Sequence, residues 1–355
     1  MRDIVKDVNR WLQEGKQVAV ATVVQVYGSA LRGVGSKMAC SSAGDISGSV
    51  SGGCIEGAVY AAAQASMQTG QPCLLEYGIA NEEAWEIGLA CGGTIKVWVE
   101  SLDAPVYTIL EENLEAGQLL ALATILDGPG KGRKKLFWPD GRTQGDLGLP
   151  GVEEMILPRV DTCLENLESK LEQFPMPDQA EMRLFIEVFP PLPRLIVVGA
   201  VHIAIPLVAF AKILGYTTIV IDARSAFATR ERFPAVDRLI VQWPSEALAN
   251  LALDLGACVV IMTHDDKFDI PALQVALNSP ARYIGILGSA TTHARRMQEL
   301  KTLGVSEDQL QRIHAPVGLD LGAFGAEEIA LSIISEVTAV RHGHAHGVVL
   351  PMSAR

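Results

Sequence analysis

The second half of the chain is constrained by a regular alternation of short apolar runs and helical patterns. Residues 195–198, 217–221, 258–262 and 283–287 are apolar almost throughout, and helical stretches separate them. Strands that are continuously apolar are buried on both faces, which is typical of parallel sheets covered by helices. Alternation of strand and helix favours a doubly wound α/β sheet. We therefore predict a Rossmann-like domain here, with a last helix at 326–341 on one face or edge.

The first two strands of this domain have the layout of a dinucleotide-binding unit. Gly199 follows the first strand, a helix comes next, and the second strand ends at Asp222. An acidic residue at that position typically binds a ribose hydroxyl, which would favour NAD over NADP. The glycine fingerprint is incomplete, because Val201 stands where the second glycine lets a pyrophosphate approach the backbone. Two interpretations stay open: a site for NAD, or a Rossmann-like domain that does not bind a dinucleotide in the usual way.

Polar residues follow several of the predicted strands. Ligands of open α/β sheets bind beyond the carboxyl ends of the strands, so these residues are expected around one crevice. A histidine near an aspartate can bind a metal or act as acid and base. Aspartate and threonine in such loops can also simply cap helices. The candidate cofactor-binding residues of this crevice are Gly199, His202, Asp222, Arg224, His264, Asp265, Gly288 and Ser289.

A proline cluster at residues 189–193 separates this domain from the first half of the chain. Prolines interrupt regular structure and stiffen linkers. We therefore predict an N-terminal α/β domain at 1–189, the Rossmann-like domain at 194–341 and a C-terminal tail at 342–355. His342, His344 and His346 alternate in that tail, a spacing that can bind a divalent metal, but a simple terminal tail is the favoured interpretation. In the first domain, strands are predicted at 18–26, 74–77, 94–100 and 119–126, a hairpin at 134–141, and helices at 55–67, 106–115 and 152–174.

A glycine-rich loop in the first domain ends in a single cysteine. Residues 47–56 read Ser-Gly-Ser-Val-Ser-Gly-Gly-Cys-Ile-Glu, with Gly52 and Gly53 directly before Cys54, and a helix is predicted to follow. A helix N-terminus favours a thiolate and binds phosphate through unpaired N–H groups. The alternative is ordinary loop material with a buried, structural cysteine. Cys91, a second cysteine flanked by a Gly-Gly pair, strengthens the functional interpretation, and Arg32 and Lys37 could add positive charge near the first loop.

Composition narrows the class of partner. The chain has 355 residues and a net charge of −12, with a pI near 5.1, which argues against nucleic acid or an anionic membrane as main partner. The N-terminus lacks an apolar signal segment, and the six cysteines are scattered. We expect a cytoplasmic protein with reduced thiols and, by default for a soluble oligomer, a homodimer.

Taken together, these motifs resemble the xanthine dehydrogenase accessory protein family, XdhC/CoxI. The resemblance rests on segments 51–56 and 91–93 in the first domain, and on 222–224, 231–234, 263–265, 283–289, 318–323 and 327–330 in the second. It implies a chaperone that binds the molybdenum cofactor, molybdopterin, and delivers it to a molybdenum hydroxylase of the xanthine dehydrogenase type. It also implies a cysteine desulfurase as sulfur-donating partner. The cofactor-linked cysteine of the family carries over to Cys54 as metal ligand, with Cys91 as the second candidate.

The chain departs from the family pattern at three points in or near the second-domain crevice. Val201 replaces a glycine, Ala290 an arginine, and Phe324-Gly325-Ala326 an Arg-Thr-Pro segment. An NAD-dependent oxidoreductase with a degenerate fingerprint is the alternative function. A xanthine dehydrogenase itself is discounted, because the six cysteines lack iron–sulfur spacing and the chain is short for a complete molybdenum hydroxylase.

Overall fold

The computed structural model describes residues 1–28, 30–78, 93–176 and 181–343. The chain forms two compact units, Met1–Pro190 and Pro191–Arg355, so the division falls within the proline cluster. Cys91 and the histidines at 344 and 346 lie outside the described residues. None of the helices in the described ranges combines the length and apolar composition needed to cross a membrane.

The first unit begins with an antiparallel sheet in the order β3-β2-β1-β5-β4. One face of the sheet is covered by α2, whose Val59 and Ala63 pack on Ala21 and Val97. The short strands β2 and β3 were not predicted, and they carry the chain from the Gly/Ser loop after β1 to the Cys54 loop, which we define as residues 49–55. The elements are α1 (Val5–Gln13), β1 (Val18–Tyr27), β2 (Lys37–Ser41), β3 (Ile46–Gly48), α2 (Glu56–Thr69), β4 (Cys73–Tyr77) and β5 (Thr94–Ser101).

A second antiparallel sheet, in the order β8-β7-β6-β10-β9, completes the first unit. The two sheets share an apolar cluster in which Val24 and Trp98 of the first meet Leu126 and Phe185 of the second. This contact explains why the apolar run of β1 is buried on both faces. The elements are α3 (Ala104–Glu115), β6 (Leu120–Asp127), β7 (Lys134–Phe137), β8 (Thr143–Gly145), α4 (Val152–Asn166), β9 (Lys170–Pro175) and β10 (Glu181–Phe189).

The single helix predicted at 152–174 is wrong in its second half. Helix α4 ends at Asn166, and Leu167 adopts a left-handed conformation with φ +53°. The chain then forms β9, which pairs antiparallel with β10. The last turn of α4 and β9 bury apolar residues against the same core, with Leu164 and Phe174 as examples, so their leucines and phenylalanine imitate one continuing helical stripe.

The second unit is a six-stranded parallel sheet in the order β13-β12-β11-β14-β15-β16. Leu248, Leu273 and Leu300 of α6, α7 and α8 pack on one face, and Leu207 and Ile333 of α5 and α10 on the other. The doubly wound Rossmann-like prediction is confirmed. The elements are β11 (Arg194–Val198), α5 (Ala204–Ile213), β12 (Thr217–Ile221), β13 (Arg238–Ile240), α6 (Pro244–Ala249), β14 (Ala257–Ile261), α7 (Asp266–Leu277), β15 (Tyr283–Ile286), α8 (Ala290–Thr302), α9 (Glu307–Leu310), β16 (Ile313–His314) and α10 (Ala326–Arg341).

Candidate functional site

The Cys54 loop is organised by one carboxylate. Glu56, the first residue of α2, accepts hydrogen bonds from four consecutive N–H groups of the loop. These donors are Val50, Ser51, Gly52 and Gly53, at 3.3, 2.9, 3.0 and 2.8 Å. The hydroxyls of Ser49 and Ser51 donate to the same carboxylate at 2.6 and 2.5 Å. Burial by itself raises the pKa of Glu56, but the hydroxyl and backbone donors outweigh it and lower the pKa to about 2.

This arrangement corrects the expectation that the loop cradles a phosphate. The N–H groups of Gly52 and Gly53 already donate to Glu56, an anion that the protein supplies itself. The glycines have a conformational reason instead, because φ is +91° at Gly52 and +126° at Gly53, where residues with a Cβ are strained. A Cβ at Gly52 would also lie 3.2 Å from Leu31 Cδ1. The two glycines shape the loop, and Glu56 fills it.

Cys54 stands at the end of this loop, two residues before the first residue of α2. It is half-buried and packs against the core under α2. Its backbone N–H donates to Ser51 Oγ at 3.1 Å, and the N–H of Ile55 shares this acceptor at 3.2 Å. Since Ser51 is itself held by Glu56, the backbone that carries the thiol is fixed from both sides.

The two basic side chains expected near this loop behave differently. Arg32 contacts it, because its Nε donates to the carbonyl oxygen of Ser49 at 3.2 Å. The ammonium group of Lys37 is buried, pairs with Glu187 at 2.8 Å and donates to Thr22 Oγ1 at 2.7 Å. Its charge is therefore neutralised within the first unit, which corrects the expectation that Lys37 adds positive charge for a ligand.

We expect Glu56→Ala to lower the free energy of unfolding of the first unit by about 1.5–3 kcal/mol, the range for hydrogen bonds to a charged group. The loss is limited because Gly52 and Gly53 are exposed and water can replace the carboxylate. Hydrogen exchange of residues 49–55 and the alkylation rate of Cys54 should both rise.

Since the pKa of folded Glu56 lies below its ordinary value of 4.5, its contribution to stability is present above that pH and is lost as the pH falls toward about 2. The difference between the two proteins should thus shrink between pH 6 and about pH 3.5. Glu115→Ala, at an exposed end of α3, is the control and should change none of these measurements.

In the second unit, the predicted residues lie in loops at the carboxyl edge of the parallel strands. Gly199 follows β11 with φ +110°, and a Cβ there would lie 3.0 Å from the backbone nitrogen of Thr263. A residue without a side chain is required because the loops after β11 and β14 approach each other so closely. Val201 is half-buried and packs against the core under α5.

Asp222 is not available to a ribose. Its side chain is 2% exposed and pairs with Arg224, whose Nη2 lies 2.7 Å from Oδ2. Oδ1 accepts from the backbone N–H and from Nε of Arg224, both at 2.9 Å, and Oδ2 accepts from the N–H of Ala200 at 2.8 Å. Two donors on each oxygen account for the lone pairs of a carboxylate. This corrects the expectation of a ribose ligand and removes the main support for NAD.

The remaining predicted residues divide into helix caps and exposed histidines. Asp265 caps α7 by accepting from the N–H of Lys267 at 3.2 Å, and Ser289 caps α8 by accepting from the N–H of Thr292 at 3.2 Å. His202 and His264 are exposed. Among the described residues, no group of three or more His, Cys, Asp or Glu side chains is placed to hold a metal ion.

A buried arginine that the sequence analysis did not identify holds the loop after β15 and the first turn of α7 together at this edge. Arg296 is 2% exposed and pairs with Asp269 at 2.6 Å and with Asp266 at 3.0 Å. Its Nη1 donates to the carbonyl oxygen of Leu287 at 3.0 Å. The same group would lie 2.9 Å from a Cβ at Gly288, which explains that glycine. No local sequence motif indicates this network, because Arg296 lies on α8 and its two carboxylate partners lie on α7.

Comparison with known proteins agrees with the motifs in both units. Residues 11–78 match the family described as "XdhC and CoxI family", and residues 195–337 match "XdhC Rossmann domain". A protein of Bacillus subtilis (strain 168), named as a probable xanthine dehydrogenase subunit, is 28% identical over 337 residues, 93% of this chain and 95% of its own. "Molybdenum cofactor insertion chaperone PaoD" of Escherichia coli (strain K12) is 28% identical over 357 residues, 99% of this chain and 92% of its own.

A solved structure is similar in fold. A crystal structure described as a xanthine dehydrogenase from Bacillus halodurans has a TM-score of 0.71 and 27% identity, covering 99% of this chain and 98% of its own. The two family matches together take in more than half of the residues, one in each unit. The chain therefore belongs to the XdhC/CoxI family.

Proposed function

We propose that this protein binds the molybdenum cofactor and delivers it to a molybdenum hydroxylase of the xanthine dehydrogenase type. Two full-length relatives support this role by their names, one as a molybdenum cofactor insertion chaperone and one as a probable xanthine dehydrogenase subunit. The cofactor is the cargo of such a protein, and its role is non-catalytic. We further propose a cytoplasmic homodimer that receives sulfur for the cargo from a cysteine desulfurase.

The observation that carries the proposal is the fixed and half-buried position of Cys54. A cysteine sulfur is a soft ligand suited to a metal centre bound by dithiolene sulfurs. The hydrogen bonds of Glu56 hold the loop in one conformation before cargo arrives, so little ordering is required on binding. Gly52 and Gly53 contribute to the proposed site by allowing the loop conformation that places Cys54. Cys91 remains a second proposed ligand from the sequence.

Retention of released cofactor tests this function. The full-length protein is mixed with molybdenum cofactor, passed over a desalting column, and assayed for molybdenum and for pterin. Removing a residue that only hydrogen-bonds to a metal ligand typically lowers the affinity for the metal by about 10–100-fold. Cys54→Ser removes the proposed ligand itself, so it should lower the retention of the cofactor at least as much. Cys73→Ser is the matched control, because Cys73 is also half-buried in the first unit, on β4.

Two outcomes would count against the proposal. If the wild-type protein retains no cofactor, the binding role fails. If Cys54→Ser retains as much as the wild type, Cys54 is not the ligand, and the same assay on Cys91→Ser decides whether the second cysteine takes that place.

A further inference from the structure

The carboxyl edge of the parallel sheet in the second unit carries a cationic and aromatic cluster, which we call the Phe227 cluster: Arg224, Phe227 and Arg232. Phe227 is 40% exposed. The guanidinium carbon of Arg224 lies 4.3 Å from its ring centroid and that of Arg232 lies 5.5 Å from it. An exposed phenylalanine beside two guanidinium groups is a surface on which a planar ring can stack.

The charges of this cluster do not cancel. Arg224 is balanced by Asp222, which pairs with it through both oxygens. Arg232 donates to the carbonyl oxygens of Ala200 and Phe227 at 2.9 and 2.6 Å, and it has no carboxylate partner among the described residues. A guanidinium group that is held by carbonyl oxygens keeps its full positive charge, so the cluster carries an excess of one cation.

The two carboxylates that interact with Arg224 both already have ion-pair partners. Asp222 first and Asp265 second act to raise the pKa of Arg224. Asp265, however, pairs with Lys267 at 3.2 Å and caps α7. The surroundings of the cluster therefore leave its positive charge available to a ligand.

The hydrogen-bonding chemistry favours phosphate over a sugar diol. A ribose needs an acceptor, and the oxygens of Asp222 are used by Ala200 and Arg224. The planar guanidinium fork instead matches the oxygens of a phosphate. We propose that the Phe227 cluster is a subsite for a phosphate ester carried on a planar heterocycle, with the phosphate at Arg232 and the ring on Phe227.

Two sources could supply this chemistry: the pterin phosphate of the proposed cargo, or a free nucleotide. The subsite extends the proposed function, but it is tested without the molybdenum cofactor, so either can fail alone. AMP, adenosine and inorganic phosphate are titrated separately into the full-length protein by calorimetry. We expect AMP to bind at least about tenfold more tightly than adenosine, the lower range for a charged hydrogen bond.

Four variants locate the effect. Arg232→Ala should abolish the preference for AMP over adenosine. Phe227→Leu should weaken AMP binding and leave inorganic phosphate unchanged. The matched control is Arg230→Ala, since Arg230 also donates to a carbonyl oxygen, that of Val236 at 2.7 Å, but belongs to no ring contact of Phe227. Arg232→Lys, which keeps the charge and loses the fork, replaces Arg232→Ala if the latter fails to fold, and should still lose most of the preference.

Equal binding of AMP and adenosine, or equal losses in the variants at positions 230 and 232, would overturn the subsite. If it holds, adding AMP to cofactor-loaded protein identifies the source. Release of the cofactor assigns the subsite to the phosphate of the cargo, and retention with AMP bound assigns it to a free nucleotide.

Discussion

Replacing Lys37 by methionine is expected to destabilise the first unit by about 3–5 kcal/mol, the cost of leaving one member of a buried ion pair alone. The Lys37 side chain is 5% exposed and that of Glu187 is 9% exposed. Both oxygens of Glu187 lie within 2.9 Å of the ammonium group. Methionine has a similar length, so the loss comes mainly from the uncompensated carboxylate and not from a cavity.

The pair has a structural consequence because its members belong to different sheets. Lys37 begins β2 of the first sheet, and Glu187 lies on β10 of the second. The carbonyl oxygen of Lys37 also accepts from the N–H of Ser49, in the Cys54 loop, at 2.9 Å. Breaking the pair should therefore loosen β2 and raise the alkylation rate of Cys54.

Hydrogen exchange of peptides from β2 and β10 is the suitable measurement, because a chain of two units need not unfold in one step. The double variant Lys37→Met with Glu187→Met should recover most of the loss, since both charges are then absent. Lys170→Met is the control. Its ion pair with Glu168 leaves 42% and 58% of the side chains exposed, so its loss should be below about 1 kcal/mol. A loss of similar size in the control and in Lys37→Met would contradict the argument.

The fold of the second unit could be predicted because the sequence pattern of each strand and helix agrees with the burial that the complete fold gives it. Its strands are apolar along their whole length, as burial under helices on both faces requires, and the helices alternate with them in sequence. The first unit was harder. Its helix α4 and strand β9 bury residues in one core, so the period of apolar residues did not change where the helix ended.

The candidate sites were predicted as loops but not as hydrogen-bond networks. The sequence located the Cys54 loop and the loops after β11, β12, β14 and β15, since glycine and polar residues mark them. It could not show that Glu56 fills the first loop or that Arg224 engages Asp222. In the first unit Glu56 accepts from N–H groups that a bound anion was expected to use. In the second unit Arg224 and Ala200 donate to the oxygens of Asp222 that a ribose was expected to use. Side chains that turn back on a neighbouring loop leave no periodic pattern, so this information comes from the structure.

Replacing Arg296 by methionine is expected to cost the second unit about 3–5 kcal/mol as well, for the same physical reason. Asp269 is 1% exposed and would keep Thr263, at 2.5 Å, as hydrogen-bond donor. Asp266 would keep its ion pair with Arg295. The carbonyl oxygen of Leu287 would lose the donor that holds it, so exchange should increase in the loop after β15.

The loss should depend on pH in a defined direction. Burial raises the pKa of Asp269 despite Thr263 and Arg296, which lower it, so removing Arg296 must raise this pKa further. A carboxyl whose pKa is higher in the folded state binds more protons there, and its contribution to stability falls as the pH rises. The deficit of Arg296→Met should therefore be larger at pH 8 than at pH 5.

Chemical unfolding followed by hydrogen exchange of α7 and α8 at the two pH values measures this difference. Arg295→Met is the matched control, because the neighbouring residue is 62% exposed, pairs with the same Asp266, and should cost below about 1 kcal/mol at either pH. Adding Asp269→Asn to Arg296→Met removes the buried charge while keeping an oxygen for Thr263, so it should abolish the pH dependence and restore part of the stability. A deficit that is equal at both pH values, or that persists unchanged in the double variant, would mean that the cost arises from packing around the Arg296 stem and not from the unpaired carboxylate.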